Sequence, residues 1–245
     1  MARTLRMEKD KIFQYLATGD ITVIGQFTWG SNYTFLTKVR SDGAELEAVY
    51  KPQRGERPLW DFPSASLAGR EVAAFLVSEA LGWNLVPPTA FRPDGPLGPG
   101  SLQVHVTHDP EQHYFTFDRK TRRRLRQVAL FDLLVNNADR KGGHILLGDA
   151  GKLWLIDHGI SFHAEPKLRT VIWDFAGEDF PTKFLQDLEG LKPHLAPEGA
   201  LRKALAPYLN AEELDALEGR LARLLAERRF PAPPEDVRAT PWPLV

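Results

Sequence analysis

Two segments carry the side chains best suited to chemistry, FDLLVNNADRKGGHILL over 131–147 and KLWLIDHGISF over 152–162. The run Val128 to Val135 is apolar apart from Asp132 and predicts a helix buried on most sides. That helix delivers Asp139 into a loop containing Gly142 and Gly143. Two short strands, His144 to Leu147 and Leu153 to Ile156, are joined by the turn Gly148-Asp149-Ala150-Gly151 and predict a hairpin. Its return leaves Asp157 just before Gly159, so two carboxylates arrive at one end of a hairpin beside flexible backbone. Hard oxygen ligands in that arrangement suit a divalent cation. Either aspartate alone could serve as an ordinary cap or turn residue; their joint spacing with Arg140, Lys141 and Gly159 favours catalysis or metal binding.

The rest of the chain must position these groups. Residues 4–17 predict an opening helix ended by Gly19. Ile21 to Gln26, Tyr33 to Val39 and Glu45 to Tyr50 follow as β-prone runs, separated by Trp29-Gly30-Ser31-Asn32 and Ser41-Asp42-Gly43, which predicts an antiparallel meander. Ser66 to Leu81 reads as a helix stopped by Gly82. Prolines from Pro87 to Pro99 forbid regular helix up to a strand at Leu102 to Val106, and a helix is predicted over Lys120 to Asn136. Asn210 with Glu213 forms a capping-box pattern opening an amphipathic helix through Arg229, and the prolines beyond Phe230 exclude helix there.

On these motifs the chain resembles a family. Asp139 to His144 has the spacing of a kinase catalytic loop, where an aspartate precedes a metal-binding asparagine by five residues, and Asp157-His158-Gly159 resembles the metal-binding Asp-Phe-Gly. Asn137-Ala138-Asp139-Arg140 and the Tyr50-Lys51-Pro52 context are more similar to phosphoinositide-kinase-like and HipA-like atypical kinases. The resemblance implies an α+β, two-lobed kinase-like fold, with an antiparallel sheet lobe and a mainly helical lobe. It further implies that the turn at Gly30 and Ser31 covers ATP, that Lys51 holds the α and β phosphates and pairs with Glu71, and that Asp157 with His144 holds Mg or Mn. Asp139 would accept or orient a substrate hydroxyl, and Lys141 could neutralise the transferring phosphate or simply be solvated. His144 departs from the family asparagine. Three readings stay open: a ligand favouring manganese, a residue orienting Asp157, or a mark of lost catalysis. Direct ligation would make metal-dependent binding weaken as pH falls through the ordinary histidine range.

Composition limits the alternatives. With 31 basic and 32 acidic residues there is no global field to gather nucleic acid, and without cysteine there are no disulfides, thiolate metal sites or thiol nucleophiles. No stretch matches a secretion signal or membrane span, so a cytoplasmic protein is expected. The expected organisation is a sheet lobe over 1–106, a helical lobe over 107–230 and a proline-rich tail over 231–245. The expected function is an ATP- and metal-dependent phosphotransferase acting on a lipid, small-molecule or protein hydroxyl. The rivals are a silent nucleotide-binding scaffold and a metal-dependent hydrolase using Asp139, His144, Asp157 and His158. The basic run Arg119 to Arg126 reads as a solvated face, and Trp60-Asp61-Phe62 and Trp173-Asp174-Phe175 as packing anchors.

Overall fold

The computed structural model describes residues 9–27 and 32–245. Gly30 and Ser31, expected over the nucleotide, lie outside the described residues, as does the start of the opening helix. Helix α1 spans Lys9–Thr18 and is followed by strands β1 (Asp20–Gln26), β2 (Phe35–Ser41) and β3 (Ala44–Pro52). Helix α2 (Leu67–Ala80), β4 (Thr89–Arg92) and β5 (Gly100–Val104) complete the first lobe. The strands form one antiparallel sheet in the order β1-β2-β3-β5-β4.

Alternation along β3 decides what faces the cleft. Leu46, Ala48 and Tyr50 are buried on one face, where they meet Tyr15 and Leu16 of α1 and Leu102 of β5. Because successive strand residues point to opposite faces, Val49 and Lys51 must turn the other way. There they line a cavity shared with α2 and the second lobe.

The second lobe is helical around a small hairpin. It contains α3 (Arg119–Arg124), α4 (Arg126–Val135), β6 (Ile145–Leu147), β7 (Leu153–Leu155), α5 (Thr182–Leu195), α6 (Ala200–Leu205) and α7 (Ala211–Glu227). Leu130, Phe131, Leu134 and Val135 of α4 are fully enclosed, against Leu217, Leu221 and Leu224 of α7 among others. Asn210 accepts from the Glu213 amide and Glu213 returns the bond to the Asn210 amide, so the capping box is formed as expected.

Three local expectations change. The single helix over 120–136 is two: Leu125 has ψ −6°, short of helical geometry, and the break divides the exposed Arg123 and Arg124 from the buried run that begins at Val128. A strand the proline count concealed, β4, fits between Pro88 and Pro93 and pairs with β5 at the sheet edge. His144 ends a tight turn over Gly142–His144 instead of opening the strand.

Candidate active site

Lys51 is the centre of the arrangement. Its Nζ lies 2.5 Å from Glu71 Oε1 and 2.7 Å from Asp157 Oδ1. The second Glu71 oxygen, Oε2, accepts the His158 amide at 3.0 Å, so one carboxylate ties the strand lysine to the Asp157 loop. Gly159 makes this approach feasible, since a Cβ there would stand 3.3 Å from Leu67 Cβ and 3.8 Å from Glu71 Oε1. Burial pulls the Lys51 pKa down, but Asp157 and Glu71 outweigh it and hold the ammonium above the ordinary lysine range. The Lys51 charge in turn holds Asp157 far below the usual carboxylate range despite burial. Asp157 also sits at φ 63°, a left-handed conformation that aspartate tolerates better than most residues.

His144 faces the same carboxylate. Its Nδ1 lies 3.0 Å from the Asp139 carbonyl oxygen, which can only accept, so Nδ1 carries the proton. The Lys141 amide, at 3.5 Å from Nδ1, is too distant to compete. Burial lowers the His144 pKa to about 4, leaving Nε2 with a bare lone pair 3.1 Å from Asp157 Oδ2. These two acceptors could hold a cation in addition to the Lys51 ammonium, which already lies 2.7 Å from the other oxygen of Asp157. Among the described residues no group of three or more His, Asp or Glu side chains could enclose a metal. The donor set fits a cation that takes its remaining ligands from phosphates and water, the usual habit of magnesium sites.

Asp139 lies in the same cavity, with Lys141 Nζ 3.3 Å from its Oδ2 and its amide donating to Asn137 Oδ1 at 2.9 Å. Burial raises its pKa, with Lys141 opposing the shift, which makes it a better proton acceptor than an exposed aspartate. His158 is not part of this donor set. It is fully buried, its Nε2 accepts from Arg140 Nη2 at 2.8 Å, and burial drives its pKa well down, so the four-residue hydrolase grouping does not assemble.

Arg140 is the organiser that the motif reading left without a role. Fully enclosed, it pairs with Asp132 at 3.0 Å and donates Nη1 to the carbonyls of His144 at 3.1 Å and Ile156 at 3.0 Å. One side chain thus locks α4, the Asp139 loop and both hairpin strands together. Its signal was present in the sequence: a lone acid in an apolar helix needs a buried partner. The cavity of about 260 Å³ also has an apolar slot between Val49, Val104 and Val106 on one side and Leu146 and Ile156 on the other. Nothing in the catalytic motifs marks those residues. The aromatic pairs divide: Phe62 and Phe175 are buried anchors, whereas Trp60 is 91% exposed, with the Lys167 ammonium 5.0 Å from its ring centre.

Known proteins fit this geometry. The fold matches the Golgi casein kinase solved with Mn/ADP bound (TM-score 0.56, 17% identity, 89% of this chain and 74% of that one). It also matches hydra Fam20 with sugar (TM-score 0.56, 16% identity, 93% and 92%) and the Helicobacter pylori proinflammatory kinase CtkA (TM-score 0.54, 10% identity, 88% and 94%). The α+β, two-lobed fold is therefore kinase-like. No protein-family model matches the chain. With 41% identity over 99% of its own length and 98% of the relative's, the chain belongs to the same family as Protein Rv2133c of Mycobacterium tuberculosis (strain ATCC 25618 / H37Rv).

Proposed function

We propose that the protein is an ATP- and divalent-metal-dependent phosphotransferase of the phosphoinositide-kinase-like type, acting on a hydroxyl acceptor. The observation that carries this reading is the Lys51 ammonium bridging Glu71 and Asp157, with the His144 lone pair turned toward the same carboxylate. In this assignment Lys51 holds the α and β phosphates, and Glu71 keeps it extended across the cleft. The apolar slot beside Val49 and Ile156 takes the adenine base, and Gly30 and Ser31 cover the phosphates. Asp157 and His144 would hold the metal, which would supply positive charge to offset that of the nucleotide phosphates. Asp139 takes the acceptor's proton as its oxygen attacks, and Lys141 balances charge on the transferring group. The neighbour solved with Mn and ADP supports manganese as the first metal to try, and an imidazole ligand suits it better than magnesium. The lobe boundary near residue 106 belongs to the same proposal.

The test separates binding from transfer. Thermal shift with ADP and MnCl₂ should stabilise the wild type and fail to stabilise Asp157→Asn. Asp139→Asn should keep the shift, yet lose about 100-fold or more in turnover of labelled ATP, the usual scale for removing a general base. An Asp157→Asn protein with an unchanged Mn-dependent shift would sink the metal assignment. A wild type that binds ADP and manganese but never turns over ATP, with any acceptor or with water, would favour the silent scaffold.

A further inference from the structure

A second and larger cavity, of about 1020 Å³, meets the first at Ile160, which lines both. Its walls come from residues 59–62, the loop 160–169, α7 and the tail segment 231–238. Hydrogen bonds make its wall and the Asp139 loop one unit. The Ala138 amide donates to the Ile160 carbonyl at 2.9 Å, and Arg169 donates its amide to Asn137 at 3.0 Å and its Nε to Ala138 at 2.9 Å. The wall of this cavity is therefore tied to the loop that carries Asp139, and Asp139 itself lines the first cavity, on the other side of Ile160.

The lining is cationic. Lys167, Arg169, Arg220, Arg223 and Arg238 contribute to it, against Asp61 and Glu227. Both acids are already engaged, Asp61 with Lys167 at 3.3 Å and Glu227 with Arg223 at 4.0 Å. Among the described residues Arg169, Arg220 and Arg238 have no carboxylate within ion-pair distance. Arg220 is the most telling of the three, being only 8% exposed. Its Nε donates to the Leu134 carbonyl at 2.9 Å and its Nη1 to the His163 carbonyl at 3.1 Å, while Nη2 finds no acceptor. Burial, with Arg223 adding to it and Glu213 opposing, lowers its pKa to about 10, so the fold keeps a guanidinium whose charge is poorly solvated and has no carboxylate in direct contact. An anion held in the cavity would supply that counter-charge. Small-molecule sites usually enclose roughly 300–1,000 Å³, so this cavity, at the top of that range, has ample room for a metabolite or headgroup.

We propose that this cavity is the acceptor site and that the acceptor is a small hydroxyl compound carrying a phosphate group, either free or as a lipid headgroup. A phosphate dianion matches several unpaired arginines better than a single carboxylate does, and guanidinium groups bind its oxygens in pairs. The assignment rests on the phosphotransferase reading. The acceptor's hydroxyl oxygen bonds to the γ phosphorus of ATP, its proton passes to Asp139, and the bond from that phosphorus to the β–γ bridging oxygen breaks to release ADP.

Calorimetry on the protein saturated with ADP and MnCl₂ tests this, because the nucleotide cleft is then occupied. sn-Glycerol 3-phosphate should bind and glycerol should not. Arg169→Gln and the exposed Arg238→Gln should each weaken binding at least fivefold with ADP affinity unchanged. Arg220→Gln should abolish it, and circular dichroism will report whether that variant folds. Sedimentation with phosphatidylglycerol vesicles forms the lipid arm. Arginine-dependent vesicle binding without binding of free glycerol 3-phosphate assigns the headgroup source and supports the proposal. Absence of binding in both arms overturns it, as does preferential arginine-dependent binding of an acidic serine-containing peptide. Should glycerol 3-phosphate bind while ADP and manganese do not, the phosphotransferase reading has failed and the acceptor role falls with it, leaving an anion site of another kind.

Discussion

At the scale of single residues, His144 shows how burial can change what a side chain offers. An exposed histidine would be half protonated near pH 6.5, and ligation through it would fade across that range. Here burial lowers the pKa to about 4, so the imidazole stays neutral over most of the acid range. The expected loss of metal-dependent binding near pH 6.5 therefore moves down to about pH 4. The same shift affects folding. Between the unfolded value of 6.5 and the folded value of about 4, the unfolded chain binds a proton that the folded chain refuses. Stability thus rises with pH through that window; the contribution is complete above about 6.5 and is lost as pH falls toward 4. It amounts to roughly 3 kcal/mol at most, taking 1.36 kcal/mol per pH unit. His144→Asn should flatten this slope in urea denaturation measured from pH 7 to 4, and should move metal preference toward magnesium. An unchanged slope would mean that His144 ionises freely in the fold. An unchanged metal preference would leave it as a residue that orients Asp157.

At the scale of elements, α4 and the β6–β7 hairpin are rigidly related because Arg140 joins them. Asp132 and Arg140 are both fully buried and separated by eight residues, so neither can find water if the other is removed. Burial raises the Asp132 pKa against the opposing charge of Arg140. Breaking such a pair from one side commonly costs about 3–5 kcal/mol. Arg140→Met should lose that much in chemical denaturation. It should also weaken nucleotide binding, since the carbonyls of His144 and Ile156 lose the donor that fixes them. The double variant Asp132→Leu with Arg140→Met should recover much of the stability without recovering binding; recovery of both would show that the pair positions nothing. This is also the scale at which the sequence was most and least legible. Alternation in β3 and the hairpin turn at Gly148–Gly151 are short-range patterns, and they were enough to bring Lys51, Asp139 and Asp157 toward one cleft. The break at Leu125 interrupts an apolar spacing that an unbroken helix would satisfy equally well, and β4 depends on β5 offering it a partner. Neither is written in local periodicity.

At the scale of the whole molecule, the two lobes are joined beside the site as well as through the connecting chain. Arg70 precedes Glu71 on α2, is fully buried, and forms an ion pair with Glu213 of α7. It also donates to the Ser161 carbonyl at 2.6 Å, and its guanidinium lies 4.8 Å from the centre of the Phe62 ring. Gly69 on the same turn packs against Tyr208, whose Cβ would stand 3.4 Å from an added Cβ, in ordinary contact. The glutamate that holds Lys51 therefore rides on a helix clamped to the second lobe, so the Lys51–Glu71 pair is held by the same contacts that hold the lobes together. Glu213 has a separate task, because its other oxygen accepts the Asn210 amide at the start of α7. Arg70→Met leaves that cap intact and strands a buried carboxylate, which should cost about 3–5 kcal/mol. The loss should be local before it is global. In native-state hydrogen exchange the α2 amides should open well below the global unfolding free energy, while those of α4 still exchange only by global unfolding. Nucleotide affinity should fall with α2 protection, because Glu71 would no longer be held against Lys51. If α2 in Arg70→Met exchanges at the same free energy as α4, the clamp is merely one contribution to a single cooperative fold and does not govern the position of Glu71.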